Sequence, residues 1–324
     1  MRAQRSRIIT IATLLLVITG LAGVLTILLR SSGGPAHAPG RPAPKQAQQI
    51  DLAHEVADYT SRFGPGHGYV QPGPADREDI AAAVGLLLDG HRDQAERRLA
   101  QRDFTVRTVV DRPSGRRFVE VADRTDPAAA PRGWGRVYLD LDHRPSWSVQ
   151  VPHPGFDLGT EQVGVRVLRG RPGGVLVIAG AHRKAGIGNS ADVAHRTDTV
   201  FHAICAELAR RGMPGIQLHG FAASAAPGYD VIASTGAGSA GRQDGRDLAD
   251  ALRGHGFRVC RAWARSCPLE GLTNVQGQVA DADHVPFLHV EFSPGVRAGG
   301  PPAERAAAAI AEITRRWAGR PVRQ

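Results

Sequence analysis

Apolar residues recur along this chain with changing periods, and the changes divide it. Residues 8–29 are an unbroken run of apolar and small side chains interrupted only by threonine, long enough to cross a bilayer as a helix. Residues 31–47 are rich in Pro, Gly, Ala and Ser. Such a segment buries no face and reads as a semi-extended linker. From Asp51 an amphipathic stretch leads to a turn-rich segment at 63–68, and residues 76–101 then carry helical periodicity. Strand-like pieces follow at 104–110, 117–121 and 135–141, with a turn at 112–115 between the first two. Residues 48–145 therefore predict a small α+β module.

Beyond it, strands and helices alternate. Strands are expected at 147–151, 175–179, 216–218, 230–233, 257–261 and 287–292. Helices are expected at 197–211, stopped by Gly212, and at 245–253, stopped by Gly254. A last Ala-rich helix opens at Pro301-Pro302 and runs to Trp317, in keeping with proline's preference for the first helical turn. Alternation of this kind predicts an α/β domain over 146–324, a mixed, largely parallel sheet flanked by helices.

Composition and charge add a compartment. The 324 residues, 42% hydrophobic, suffice for a packed core. Arg2, Arg5 and Arg7 precede the apolar run. The positive-inside bias makes residues 1–30 a cytoplasmic basic tip and a single-pass signal-anchor, with the rest extracytoplasmic. Cleavage after a small-residue site at Ala36-His37-Ala38, giving a secreted protein, is the competing reading; the length of the run and the closing Arg30 favour an anchor. Cys260 and Cys267 flank six residues and suit a local disulfide in that compartment, while Cys205 falls in a helical pattern and reads as core. The net charge of +9 comes from 40 basic against 31 acidic residues, with the arginines scattered, and aromatics are only 5%. No nucleic-acid groove is expected from that pattern. A solvated Arg-rich surface accounts for the charge, with attraction to anionic lipid or an acidic polymer as the functional alternative. Nothing in the pattern sets an oligomeric state.

Three segments run from apolar strands into imidazole or carboxylate: 149–161, 216–221 and 287–292. Side chains at the carboxyl ends of parallel strands converge on one crevice. His153, Asp157, Glu161, His219 and Glu291 are thus candidates for one site. Imidazole and carboxylate are the usual zinc donors in catalytic sites. Pro154, Gly155 and Gly159 favour a loop that brings His153 and an acid together. His219 ends an apolar strand and precedes Gly220, which permits close approach. Glu291 lies inside an apolar strand, where an unpaired carboxylate is costly, and suits a general base.

A second cluster comprises His182, Arg183, Arg196, Asp198 and His202. Asp198 and His202 are four apart, which on a helix permits a hydrogen bond or a ligand pair. Arg183, Arg196 and Arg297 could bind a substrate carboxylate through bidentate hydrogen bonds. Gly186-Ile-Gly188 lacks the rest of a phosphate loop, and no GxSxG elbow occurs.

Three stretches, His153-Pro-Gly-Phe-Asp-Leu-Gly-Thr, Gln217-Leu-His-Gly and His289-Val-Glu-Phe-Ser-Pro-Gly-Val-Arg297, give residues 147–297 a resemblance to the zinc-dependent poly-γ-glutamate hydrolase group, related in fold to the zinc carboxypeptidases. The resemblance implies a carboxypeptidase-like fold, zinc as cofactor, His153 and His219 as zinc ligands, Asp157 as the acidic ligand by its place before Gly159-Thr160, and Glu291 as the catalytic carboxylate. Asp157 stands where that group has Glu, in a loop one residue shorter, so Glu161 remains an alternative ligand. The expectation is a membrane-anchored, extracytoplasmic zinc amidohydrolase or peptidase acting on a γ-glutamyl or cell-wall peptide. The alternative is a non-catalytic wall- or polymer-binding module on the same scaffold.

Overall fold

The computed structural model describes residues 47–66, 68–124 and 131–318. The apolar run at 8–29 and nearly all of the linker lie outside these. Among the described residues no helix is long and apolar enough to cross a membrane.

A short strand β1 (Gln48–Ile50) leads into helices α1 (Leu52–Thr60), α2 (Pro74–Leu88) and α3 (Arg92–Ala100), then strands β2 (Phe104–Asp111), β3 (Arg117–Asp123) and β4 (Arg136–Asp140). Next come β5 (Trp147–Val151), α4 (Thr160–Gly170), β6 (Gly174–Ile178), α5 (Val200–Arg210), β7 (Gly215–Gly220) and β8 (Val231–Ser234). The chain continues through α6 (Arg242–Gly254), β9 (Val259–Arg261), α7 (Val275–Ala282), β10 (Phe287–Phe292), α8 (Pro294–Arg297) and α9 (Gly300–Trp317). Among the described residues ten strands form one sheet, in the order β1-β2-β3-β4-β6-β5-β7-β10-β8-β9. Its centre, β6-β5-β7-β10, is parallel, and β2-β3-β4-β6 and β10-β8 pair antiparallel. It is a mixed sheet flanked by helices.

The segment expected as a separate α+β module contributes its strands to this same sheet, because β4 pairs with β6 from Arg136↔Ile178 to Leu139↔Val175. The single helix expected over 76–101 is two helices. Gly90, at φ +80°, turns the chain between α2 and α3, a conformation open to glycine at little cost. Helices α4 and α7 are additional to the sequence reading, and the cysteines 260 and 267 form a disulfide while Cys205 is buried and free.

Alternation along the strands sorts side chains to two faces. In β6, Leu176 and Ile178 join a core packed by α1, α4, α6 and α9, while Val175 and Val177 join the core of α2, α3 and α5. The neighbouring strands differ. Val149, Val151, Ile216, Leu218, Leu288, Val290 and Phe292 all enter the first core. Their alternates, Ser148, Gln150, Gln217, His219, His289 and Glu291, are polar yet buried. Three adjacent strands thus carry an apolar face and a buried polar face, and the polar face floors the site.

A largely buried ion pair ties the end of β2 to α4. Asp111, at the end of β2, is fully buried; its Oδ1 accepts from Leu52 N at 2.9 Å and from Arg169 Nη2 at 2.6 Å, and its Oδ2 from Arg169 Nε at 2.8 Å. Burial raises the Asp111 carboxyl, but hydrogen bonds from Arg169, Ser114 and Leu52 outweigh it and the net shift is downward. Removing one partner of a buried pair strands the other charge, so Arg169→Met is expected to lose roughly 3 kcal/mol in denaturant unfolding. Because the folded-state carboxyl lies below its unfolded value near 3.8, this contribution is present above that pH and lost as pH falls through the folded value. The stabilities of variant and wild type should therefore converge in acid.

Candidate metal centre

The parallel strands β5, β7 and β10 present their carboxyl ends together, in the register His289↔Gln217 and Glu291↔His219. His153 follows β5 by two residues. Its carbonyl accepts from Phe156 N at 3.2 Å and from Asp157 N at 2.9 Å, a turn that brings Asp157 back over His153. Gly159, at φ +88°, then starts α4, and a Cβ there would stand 2.2 Å from the Arg297 carbonyl oxygen, so no other residue fits without a shift.

This turn and strand β7 bring three donor atoms to one point. Asp157 Oδ2 lies 3.2 Å from His153 Nδ1 and 3.3 Å from His219 Nδ1. All three side chains are buried, and the two rings meet edge to face at 4.9 Å. The far nitrogen of each imidazole is held from behind. His153 Nε2 lies 2.8 Å from Asp192 Oδ1, and His219 Nε2 lies 2.7 Å from Gln217 Oε1.

The direction of the Gln217 contact is fixed by backbone groups at both ends of a buried amide chain. Gln276 Nε2 donates to the Val193 carbonyl at 2.8 Å, so its Oε1 is what accepts from Gln217 Nε2 at 3.2 Å. Asn274 Oδ1 accepts from Gly277 N at 2.9 Å, so its Nδ2 donates to Gln217 Oε1. Gln217 Oε1 is therefore an acceptor, and His219 Nε2 carries the proton. Burial pushes the His219 imidazolium pKa down to about 4, so at neutral pH the ring is neutral and its Nδ1 lone pair faces Asp157. Burial raises the Asp192 carboxyl, but His153, His195 and Arg183 outweigh it and the carboxyl stays ionised. A carboxylate only accepts, so His153 Nε2 also carries a proton, which leaves Nδ1, facing Asp157, as the nitrogen open to a ligand. Lone pairs and a carboxylate oxygen converging in a buried site repel unless a cation lies among them. Two nitrogens and one oxygen are a donor set that zinc accepts, with an open fourth position.

Glu291 stands next to this cluster. Its Oε1 lies 4.0 Å from His289 Nε2, and its Oε2 is buried without a hydrogen-bond partner among the described residues, as is His289 Nδ1. Burial and the Asp157 charge push the Glu291 carboxyl up to about 8. His289 stacks on His219 at 4.5 Å between centroids. His219, His289 and Glu291 form a second convergent group, and His153, Asp192 and His195 a third, each with donor atoms within 4.8 Å. Both share an imidazole with the first, so the three groups belong to one centre.

Glu161 is not in that centre. It sits in the first turn of α4, where its Oε1 accepts from Gly159 N at 3.2 Å while its Oε2 is buried and unpartnered; burial raises its carboxyl. Asp157 is the acid that faces both imidazoles. His182 is buried near the start of the loop after β6, edge-on to Phe156 at 5.3 Å, with burial pushing its imidazolium pKa down. The Arg183 guanidinium donates to Asp192 Oδ2 at 2.6 Å. Arg297 lies against Gly220, where a Cβ would meet its Nε at 2.5 Å; its Nη1 donates to the Leu158 carbonyl and its Nη2 to the Phe221 carbonyl at 3.3 Å, and its Nε has no hydrogen-bond partner among the described residues. The pairing expected between Asp198 and His202 is not formed. Asp198 accepts both arms of Arg196, at 2.9 and 2.6 Å, and the His202 Nδ1 lies 3.2 Å from Gln276 Nε2. Arg196 is thus engaged by its neighbour. Sequence reasoning missed Asp192, Gln217, Gln276, Asn274 and His289. The signal for Gln217 and His289 was there, as polar residues alternating with apolar ones in strands that also bear His219 and Glu291.

No known family model and no curated protein sequence matches the chain. Among solved structures, it is similar to an N-formylglutamate amidohydrolase from Ralstonia eutropha (14% identity, 56% of this chain and 96% of that one, TM-score 0.40). It is also similar to a metallo-carboxypeptidase from Pseudomonas aeruginosa in complex with (2-guanidinoethylmercapto)succinic acid (16%, 68% of each chain, TM-score 0.36). A third likeness is to a succinylglutamate desuccinylase from a Silicibacter species (12%, 64% and 67%, TM-score 0.39). Overlaps of this depth decide neither family nor chemistry.

The geometry separates the two acids and assigns Asp192 a supporting place. In zinc titrations, Asp157→Asn is expected to weaken binding strongly and Glu161→Gln to leave it unchanged. Asp192→Asn should weaken it about 10–100-fold, the usual effect of losing a carboxylate behind a ligating imidazole.

Proposed function

We propose that this protein is a zinc-dependent hydrolase of amide or peptide bonds. The observation that supports the reading best is the convergence of His153 Nδ1, His219 Nδ1 and Asp157 Oδ2, with the outer nitrogens of both imidazoles already engaged by Asp192 and Gln217. His153, Asp157 and His219 would hold the ion, which when bound supplies Lewis-acid polarisation of a scissile carbonyl.

The chain's own residues would do the rest. Asp192 and Gln217 keep the imidazoles turned with Nδ1 inward. Glu291 Oε2, buried and unpartnered, would take a proton from the attacking water and return it to the leaving amine. Burial and the Asp157 charge push its carboxyl up to about 8; positive charge in the donor cluster favours the ionised form that a base requires. Arg297, near enough to Glu291 for its charge to oppose burial, is placed to meet a carboxylate of the substrate. A γ-glutamyl or cell-wall peptide is the substrate class we infer, from the resemblance at residues 147–297 and from an extracytoplasmic location set by an anchor at 8–29. The similar solved structures include proteins named for amide and peptide hydrolysis, which agrees with this class without narrowing it.

Hydrolysis of γ-glutamyl and cell-wall peptides by the zinc-loaded protein tests the reading. Glu291→Gln is expected to keep its zinc and lose turnover by about 10²–10⁴-fold, the range for a general base. His153→Ala and His219→Ala should lose both metal and turnover. Substrate binding that survives in wild type and Glu291→Gln, with no turnover in either, would point to a non-catalytic binding module.

A further inference from the structure

A cavity of about 530 Å³ opens between α1, the strands β2–β4 and the loop after β6. Four arginines line it, Arg62, Arg107, Arg124 and Arg136, against two carboxylates, Glu120 and Asp123. Both carboxylates are already saturated. Glu120, 1% exposed, accepts from Tyr138 Oη at 2.8 Å and from Arg107 and Arg136. Asp123 accepts from Arg132 Nε at 3.1 Å and from Trp134 N at 3.2 Å.

Among the described residues some donors remain unused. The Arg136 guanidinium lies over the Tyr59 ring at 4.0 Å, and its Nε is buried with no hydrogen-bond partner. Arg62 and Arg124 are exposed on the cavity wall, and their guanidinium groups have no partner among the described residues. Forked N–H donors with their internal acceptors already engaged match carboxylate or phosphate oxygens. The cavity also adjoins the metal centre. His182 lines it, and the same ring packs on Phe156 of the loop that carries His153 and Asp157.

We propose that this cavity is an oxyanion subsite, in which Arg62 and Arg124, with the positive charge of Arg136 behind them, bind a carboxylate or phosphate group of a ligand that extends past His182 toward the metal centre. Oxyanion binding stands on the arginines alone; the extension to the centre rests on the hydrolase reading. Arg62, Arg124 and Arg136 all precede β5, which gives the amino-terminal strands of the sheet a recognition role.

Calorimetric titration of the full chain with glutarate, citrate and inorganic phosphate tests this, alongside measurement of bound zinc. The expected result is binding that weakens with added salt and falls by about tenfold or more in Arg62→Gln/Arg124→Gln, with zinc content and melting temperature unchanged. Tighter binding of the carboxylates identifies a carboxylate-bearing ligand, and tighter binding of phosphate a phosphorylated one. No binding to wild type, or equal binding to the double variant, overturns the subsite. Oxyanion binding by a chain that takes no zinc supports the cavity and overturns the hydrolase reading instead.

Discussion

The arrangement of this site depends on two backbone groups, the Val193 carbonyl and the Gly277 N–H, which fix the direction of a buried amide chain. Because each amide must donate where its neighbour accepts, the polarity passes through Gln276 and Asn274 to Gln217 and leaves only an acceptor facing His219. The imidazole must then donate through Nε2, and its Nδ1 is committed to the inward side. Buried polar groups leave little freedom when every partner is determined. A metal-binding imidazole needs that restriction, since a ring free to exchange tautomers or flip would present the wrong nitrogen.

The same constraint explains the unusual central strands. A strand buried on both faces is normally apolar on both, as β6 is. Strands β5, β7 and β10 instead place Ser148, Gln150, Gln217, His219, His289 and Glu291 on a buried face. This face is tolerable because its amides satisfy one another; its polar atoms left without partners among the described residues, His289 Nδ1 and Glu291 Oε2, both lie on β10 beside the metal centre. Stability is supplied by the opposite face, where the alternate residues of these strands pack against α4, α6 and α9. Function and stability are thus separated by the period of two along each strand.

That separation also decides what was legible in the sequence. His153, His219 and Glu291 could be picked out because each interrupts or ends an apolar strand, where an ionisable group needs a reason. The mixed sheet and its flanking helices followed from the alternation of periods. Asp157 and Glu161 could not be told apart, since the choice is made by a turn closed on the His153 carbonyl and by the Gly159 conformation, and not by spacing. Asp192 was invisible as a partner of His153, 39 residues away in a loop without periodicity. Asp198 and His202 looked paired because they are four apart, but α5 begins only at Val200, so Asp198 lies outside the helix and turns to Arg196. The continuity of residues 48–145 with the main sheet depends on one antiparallel pairing, β4 with β6, which no local pattern announces.

The central claim is that His153 Nδ1, His219 Nδ1 and Asp157 hold one cation between them. Anomalous diffraction at the zinc absorption edge from crystals of the zinc-loaded protein tests it most directly. The account predicts a single strong peak about 2.0–2.2 Å from these three atoms, with the outer nitrogens still on Asp192 and Gln217. Absence of a peak there, or a peak bound instead by His195 and Asp192 with His219 Nδ1 free, would contradict it.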